Sequence, residues 1–174
     1  MKNIALLLFA CLPAFWMSAQ PDLIPDVDLR DVNGNQVSSL DMIHAGAPTL
    51  LVFWKSTSRT CCENIEMLQE TWESELKQRG VRMIAICVDC NGSWGYVKPL
   101  VNGNNWDFDT YVDVNGDLKR AMNVGEVPCT MLFDSDQQMI CRYNSGYSGS
   151  QAYICKNILD HLNVGEMALN FKGE

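Results

Sequence analysis

Basic residues are scarce in this chain and never run together: 13 lysines and arginines stand against 21 acids, for a net charge of −8. A surface of that sign repels phosphate, so nucleic acid is excluded as an expected partner. Only six prolines and 12 glycines are spread through 174 residues, and no repeat, low-complexity stretch or Pro/Gly/Ser linker divides them. One globular domain is therefore expected, and neither a disordered tail nor a separate cofactor domain. Glycine-rich phosphate loops are missing, so no cofactor is called for. The two histidines, His44 and His161, offer little to a metal or to a reaction that needs a base. Beyond the first residues no apolar run approaches the length of about 18 that a membrane span requires, and no stable span is expected.

At the start, apolar residues do run together. Met1-Lys2-Asn3 carries one positive charge, Ile4 to Trp16 is almost wholly apolar, and Met17-Ser18-Ala19 ends on a small residue. This is the layout of a secretory signal peptide, residues 1–19, leaving residues 20–174 as the mature domain in the periplasm or outside the cell. Two other readings compete. Leu8-Phe9-Ala10-Cys11 resembles a lipoprotein processing site anchored through Cys11, although Phe9 and the apolar run past Cys11 fit it poorly; the third reading is an uncleaved anchor. The residue in surplus is cysteine, eight in all, in a compartment that oxidises thiols. Removal of Cys11 leaves an odd number, so at least one thiol is free, mixed or shared between chains.

Patterning predicts an α/β domain. Val27 to Arg30 and Gln36 to Ser38 flank the turn triplet Asn33-Gly34-Asn35, which predicts an N-terminal β-hairpin. The run Thr49-Leu50-Leu51-Val52-Phe53-Trp54 reads as a strand covered on both faces. Ile65, Leu68, Trp72 and Leu76 then recur at helical spacing until Gly80, and Val81 to Val88 is a second buried strand. A short helix around Tyr96 to Val101, a strand at Phe108 to Val112 and a helix at Gly116 to Met122 follow. Cys129 to Phe133 and Met139 to Tyr143 form a hairpin, and Gln151 to Leu162 a closing helix. That order belongs to a mixed sheet flanked by helices.

Chemistry concentrates at the start of the first long helix. Thr60-Cys61-Cys62-Glu63 has the form of a capping box, with the Thr60 hydroxyl accepting a helical amide and Glu63 reaching back. Cys61 then lies in the first turn, where unpaired amides, the macrodipole and Arg59 favour a thiolate. The same residues also read as apolar fillers, since free cysteine is among the most buried side chains.

The string Thr49-Leu50-Leu51-Val52-Phe53-Trp54-Lys55-Ser56-Thr57-Ser58-Arg59-Thr60-Cys61 resembles the active-site strand and loop of the extracytoplasmic thioredoxin-like family, in its TlpA/ResA branch, which reads Phe-Trp-Ala-Thr-Trp-Cys-x-Pro-Cys there. Leu68, Val88-Asp89, Asp113-Val114-Asn115-Gly116-Asp117-Leu118 and Val127-Pro128 before an apolar strand and Asp134 match in register. The resemblance spans roughly residues 24 to 162 and implies a thioredoxin-like fold with Pro128 as a cis-proline facing the site. It also implies partners that are protein thiols or disulfides. The chain departs from the family by carrying Ser58 where the attacking cysteine belongs, Thr57 for tryptophan and Thr60 for proline. The site becomes Ser-x-x-Cys, and a hydroxyl without a base is a poor nucleophile.

Other sulfurs offer themselves as the missing partner of Cys61. Cys62 is adjacent, and neighbouring Cα atoms about 3.8 Å apart fall below the usual disulfide span of about 4.4 to 6.8 Å. Cys90, past the second buried strand, and Cys129, after Pro128, are the better candidates. Cys87 pairs with Cys90 in a Cys-x-x-Cys, yet starts inside a strand and reads as core, while Cys141 and Cys155 read as structural. Cys61, Cys62, Cys87, Cys90 and Cys129 around zinc or copper is a further reading that no spacing fixes. Cys61 as a lone peroxide-reacting thiolate with Ser58 as hydroxyl lacks the proline such a motif carries. Trp94, Tyr96, Trp106 and Phe108 either shape a partner surface or roof the sheet. Asp113, Asn115 and Asp117 alternate like a calcium loop, but Gly116 comes too early and no glutamate closes it, so a turn is expected. Two functions follow: an exported thiol-disulfide oxidoreductase working through Cys61, or a thioredoxin-fold scaffold holding an extended peptide in its cis-proline groove.

Overall fold

The computed structural model describes residues 23–43, 46–89, 93–144 and 150–171. The proposed signal peptide with Cys11, and also His44 and Cys90, lie outside the described residues.

Among the described residues seven strands form one mixed sheet. β1 (Asp28–Asp31) and β2 (Gln36–Ser38) make the expected hairpin, with Leu29 opposite Val37. β3 (Thr49–Trp54) and β4 (Arg82–Cys87) follow, and their apolar runs are buried almost throughout. β5 (Asp109–Val112), β6 (Cys129–Phe133) and β7 (Met139–Asn144) complete the order β2-β1-β5-β4-β3-β6-β7. Strands β3, β4 and β5 run parallel and their neighbours antiparallel.

Alternation along the central strands sends side chains to two cores. Leu50, Val52 and Trp54 of β3 join Met83, Ala85 and Cys87 of β4 under α1 (Arg59–Thr71), α2 (Val97–Gly103) and α4 (Ser150–Phe171). Leu51 and Phe53 join Ile84, Ile86, Cys129 and Met131 beneath α3 (Asp117–Ala121) and the chain around Ile24 and Met42. The N-terminal segment thus covers the face that the other three helices leave open.

The first long helix differs from expectation at both ends. It starts at Arg59, with Ser58 as N-cap at φ −103° and ψ 114°, so Thr60 is already helical and caps nothing. Glu63 does not reach back to Thr60; it takes the Arg59 Nε at 2.7 Å instead. At the other end α1 passes into a π turn over Trp72–Leu76 and a 3-10 turn over Lys77–Arg79, closed by Gly80 at φ +75°, a conformation glycine adopts without strain. The wider turn keeps both Trp72 and Leu76 in the core, with the Trp72 indole N–H donating to the Val81 carbonyl at 2.7 Å. α4 extends well past the expected end at Leu162. Residues 113–117 form a turn with Gly116 at φ +71°, and Asp113 accepts the Lys119 amide at 2.8 Å.

Candidate active site

The C-terminal ends of β3 and β4, the start of α1 and the start of β6 meet at one edge of the sheet. Trp54 is in register with Cys87 on one side, and Phe53 with Cys129 on the other. Pro128 directly precedes β6, is buried, and is joined to Val127 by a cis peptide bond. It therefore borders the loop of residues 55–58 that feeds α1.

Within that loop Ser58 has a structural task. Its hydroxyl accepts the Cys61 amide at 3.3 Å, and its carbonyl accepts the Cys62 amide at 3.1 Å. This satisfies donors that a helix start otherwise leaves open. The first turn then divides the two adjacent cysteines. Cys61 faces inward and has 0% exposure, in one cluster with Trp54, Ile65 and Cys87. Cys62 is half-buried, and its thiol meets the Ser56 carbonyl at 3.9 Å. Sequence alone put the reacting sulfur on Cys61; the sulfur open to solvent at the helix start is Cys62.

Burial acts on the thiols as desolvation does on any acid, by disfavouring the charged form. It pushes Cys87 up to about 12 and Cys129 up to about 11, the latter against the opposing pull of Arg142. Cys62 is raised as well, by burial first and then by electrostatic repulsion from its neighbours, among them Glu66, Asp89 and Glu63. All six cysteines among the described residues are unpaired. Cys129 does not approach Cys61, because it belongs to the opposite core. No three ligand-type side chains gather to hold a metal among the described residues, and no described helix is long and apolar enough to cross a membrane.

Sequence alone assigned no role to three residues of this edge. Asp89, 4% exposed, accepts the Ser56 amide at 2.8 Å, the Ser56 hydroxyl, and the Cys87 thiol at 3.3 Å. An acid directly after a buried strand was the available signal. Ser56 carried none, since its partner is 33 residues away. Asn64, one turn after Cys61, is wholly buried with neither amide atom paired, as is the Trp54 indole nitrogen. Trp106 and Phe108 roof this region: Trp106 meets Trp54 edge-on at 5.2 Å and stacks on Phe108 at 5.5 Å, whereas Tyr96 is 72% exposed.

A mixed sheet with this helix start, this cis-proline and this loop defines a thioredoxin-like protein. The chain belongs to the AhpC/TSA family, whose pattern it matches over residues 21–149. An uncharacterized thioredoxin-like protein from Porphyromonas gingivalis is similar at 29% identity, with a TM-score of 0.68 over 82% of this chain and 93% of its own. A secreted Mycobacterium tuberculosis disulfide oxidoreductase homologous to Escherichia coli DsbE shares the fold at 17% identity, with a TM-score of 0.63 over 77% of this chain and 95% of its own. StoA from Bacillus subtilis does so at 15% identity, with a TM-score of 0.59 over 78% and 99%. None of the curated proteins matches the chain in sequence.

Proposed function

We propose that the protein is an exported thiol-disulfide oxidoreductase of the TlpA/ResA type with an atypical Ser-x-x-Cys site, residues 1–19 being its export leader. In this reading Cys62 is the sulfur that meets the partner, with Cys61 buried behind it. The observation that carries it is the half-buried Cys62 thiol in the first turn of α1, beside the loop that Pro128 borders. The shared fold of the secreted M. tuberculosis oxidoreductase supports the same reading.

The chemistry needs no second active-site cysteine. The Cys62 thiolate attacks a protein disulfide; a bond forms between Cys62 and one partner sulfur, the partner's own S–S bond breaks, and its other sulfur leaves as a thiolate. A second partner thiolate then attacks the partner sulfur held by Cys62. A new partner disulfide forms and Cys62 departs as the thiolate that began the cycle. Protein and partner together keep their electrons, so the net reaction is disulfide exchange. The test is reshuffling of a scrambled disulfide-bonded substrate, with trapping of the mixed disulfide and its location by mass spectrometry. Exchange with the adduct on Cys62, lost in Cys62→Ser, is expected; exchange that persists in Cys62→Ser overturns the assignment.

One observation favours a second reading. Ser58 is occupied as a helix cap and Cys61 is sealed in the core, which suits a scaffold that holds an extended peptide along the Pro128 edge without reacting. That reading predicts partner capture unaffected by Cys62→Ser and weakened by substitution at Val127.

A further inference from the structure

Asp89 stands two residues beyond β4, where the strand's alternation has ended, and it is almost completely buried. A single oxygen, Oδ2, receives the Ser56 amide at 2.8 Å, the Ser56 hydroxyl and the Cys87 thiol at 3.3 Å. Hydrogen bonds to an ionised acceptor are roughly twice as strong as neutral ones. The loop between β3 and α1 is thus fastened from below at Ser56. The carbonyl of that same Ser56 accepts the Cys62 thiol at 3.9 Å. Carboxylate and sulfur are connected through the two ends of one loop residue.

We propose that Asp89 is a positioning residue for Cys62: through Ser56 it fixes the carbonyl that receives the thiol, and its charge is one of those that restrain the thiol from becoming a nucleophile. The proposal rests on the reading of Cys62 as the reacting sulfur. The groups that face Cys62 are Cys61, Glu63 and Glu66 on its own helix, the Ser56 carbonyl of the loop, and Asp89 beyond β4. Glu63 is exposed and paired with Arg59, so solvent and counter-charge weaken its field, while Glu66 bears on Cys62 ahead of Asp89. Asp89 is shielded from water, where a charge acts more strongly at the same distance. The arrangement holds the Cys62 thiol in place while restraining its ionisation.

The test is the pH profile of Cys62 alkylation by iodoacetamide on the full chain, located by fragment mass spectrometry. Asp89→Asn removes the charge and keeps an oxygen to accept from Ser56. Its midpoint is expected to move to lower pH, with the rate at pH 7 rising roughly three- to tenfold. Ser56→Ala removes the hydroxyl and leaves both the backbone amide and the charge, so its midpoint is expected to stay near that of the unsubstituted protein. An unmoved midpoint in Asp89→Asn overturns the proposal, and so does an equal shift in Ser56→Ala, because the charge, which that variant leaves in place, would then not be the cause. If Asp89→Asn does not fold, Asp89→Ser serves in its place. It also removes the charge, and the midpoint falls; an unmoved or raised midpoint overturns the proposal. Alkylation reads the thiol whether or not disulfide exchange occurs. A shifted midpoint in a protein that exchanges nothing would overturn the proposed function and leave the role of Asp89 standing.

Discussion

Cys87 and Cys129 flank the same strand and face opposite ways. Cys87 is in register with Trp54 and Cys129 with Phe53, which are consecutive residues of β3. Successive side chains on a strand point to opposite faces, so Cys87 joins the core that contains Cys61 and Cys129 joins the core beneath α3. Position along the sheet edge brings Cys129 towards the start of α1, and the pleat then turns its sulfur away.

This division predicts an order of thiol reactivity. Under native, reducing conditions iodoacetamide should modify Cys62 and Cys141, the two partly exposed cysteines among the described residues, well before the buried Cys61, Cys87, Cys129 and Cys155. Labelling of Cys61 or Cys129 at the rate of Cys62 would show that the interior opens far more readily than its packing implies. Peptide mapping after timed quenching reads the order directly.

Ser58 should matter to folding more than to chemistry. Its hydroxyl is the cap of α1, so Ser58→Ala is expected to cost about 1 kcal/mol in urea unfolding, while Ser58→Gly costs a few tenths. Ser58→Cys replaces the cap by a thiol. It is expected to add a reducible bridge between positions 58 and 61, seen as a loss of two mass units that dithiothreitol reverses. A Ser58→Ala protein as stable as the parent would remove the capping argument.

Stability should fall in alkali. Cys87 and Cys129 are held at about 12 and about 11 when folded, against about 8.5 for a free thiol. A raised folded value stabilises fully below the unfolded one, and that contribution is lost as pH rises through the folded value. Above pH about 8.5 the unfolded chain sheds these protons first, so each thiol lowers stability by about 1.4 kcal/mol per pH unit. Denaturation with reductant between pH 8 and 11 should show this slope, reduced in Cys87→Ala. An unchanged slope in that variant would argue that Cys87 ionises freely in the fold.

Asn64 offers a gain in stability. Both its amide atoms are buried without partners one turn from Cys61, and leaving such groups unpaired costs about 1 to 3 kcal/mol. Asn64→Leu, similar in shape and apolar, is expected to match or exceed the parent in melting temperature. A loss of more than about 2 kcal/mol would mean that the amide has a partner worth keeping.

The paired strands show what could be read directly from residue order. Thr49 to Trp54 and Val81 to Val88 announce themselves because a strand covered on both faces has no polar alternation to confuse it, and Asn33-Gly34-Asn35 marks its hairpin by local turn chemistry. Helix boundaries were less legible. Thr60 and Ser58 are both good caps, and the choice between them depends on which residue the loop leaves extended. The π turn at Trp72 has no local signature, because only the demand to bury both Trp72 and Leu76 distinguishes it from a regular helix.

By itself the sequence determined the class of sheet and the presence of a cysteine pair at a helix start. These depend on residue type and on spacing within a few positions. Tertiary structure alone decided which sulfur faces out, which side of the sheet each cysteine joins, and that Asp89 holds Ser56 from 33 residues away. Those outcomes depend on helix rotation, strand register and contacts between distant segments, and a one-residue change in any of them turns a side chain from the core to the surface.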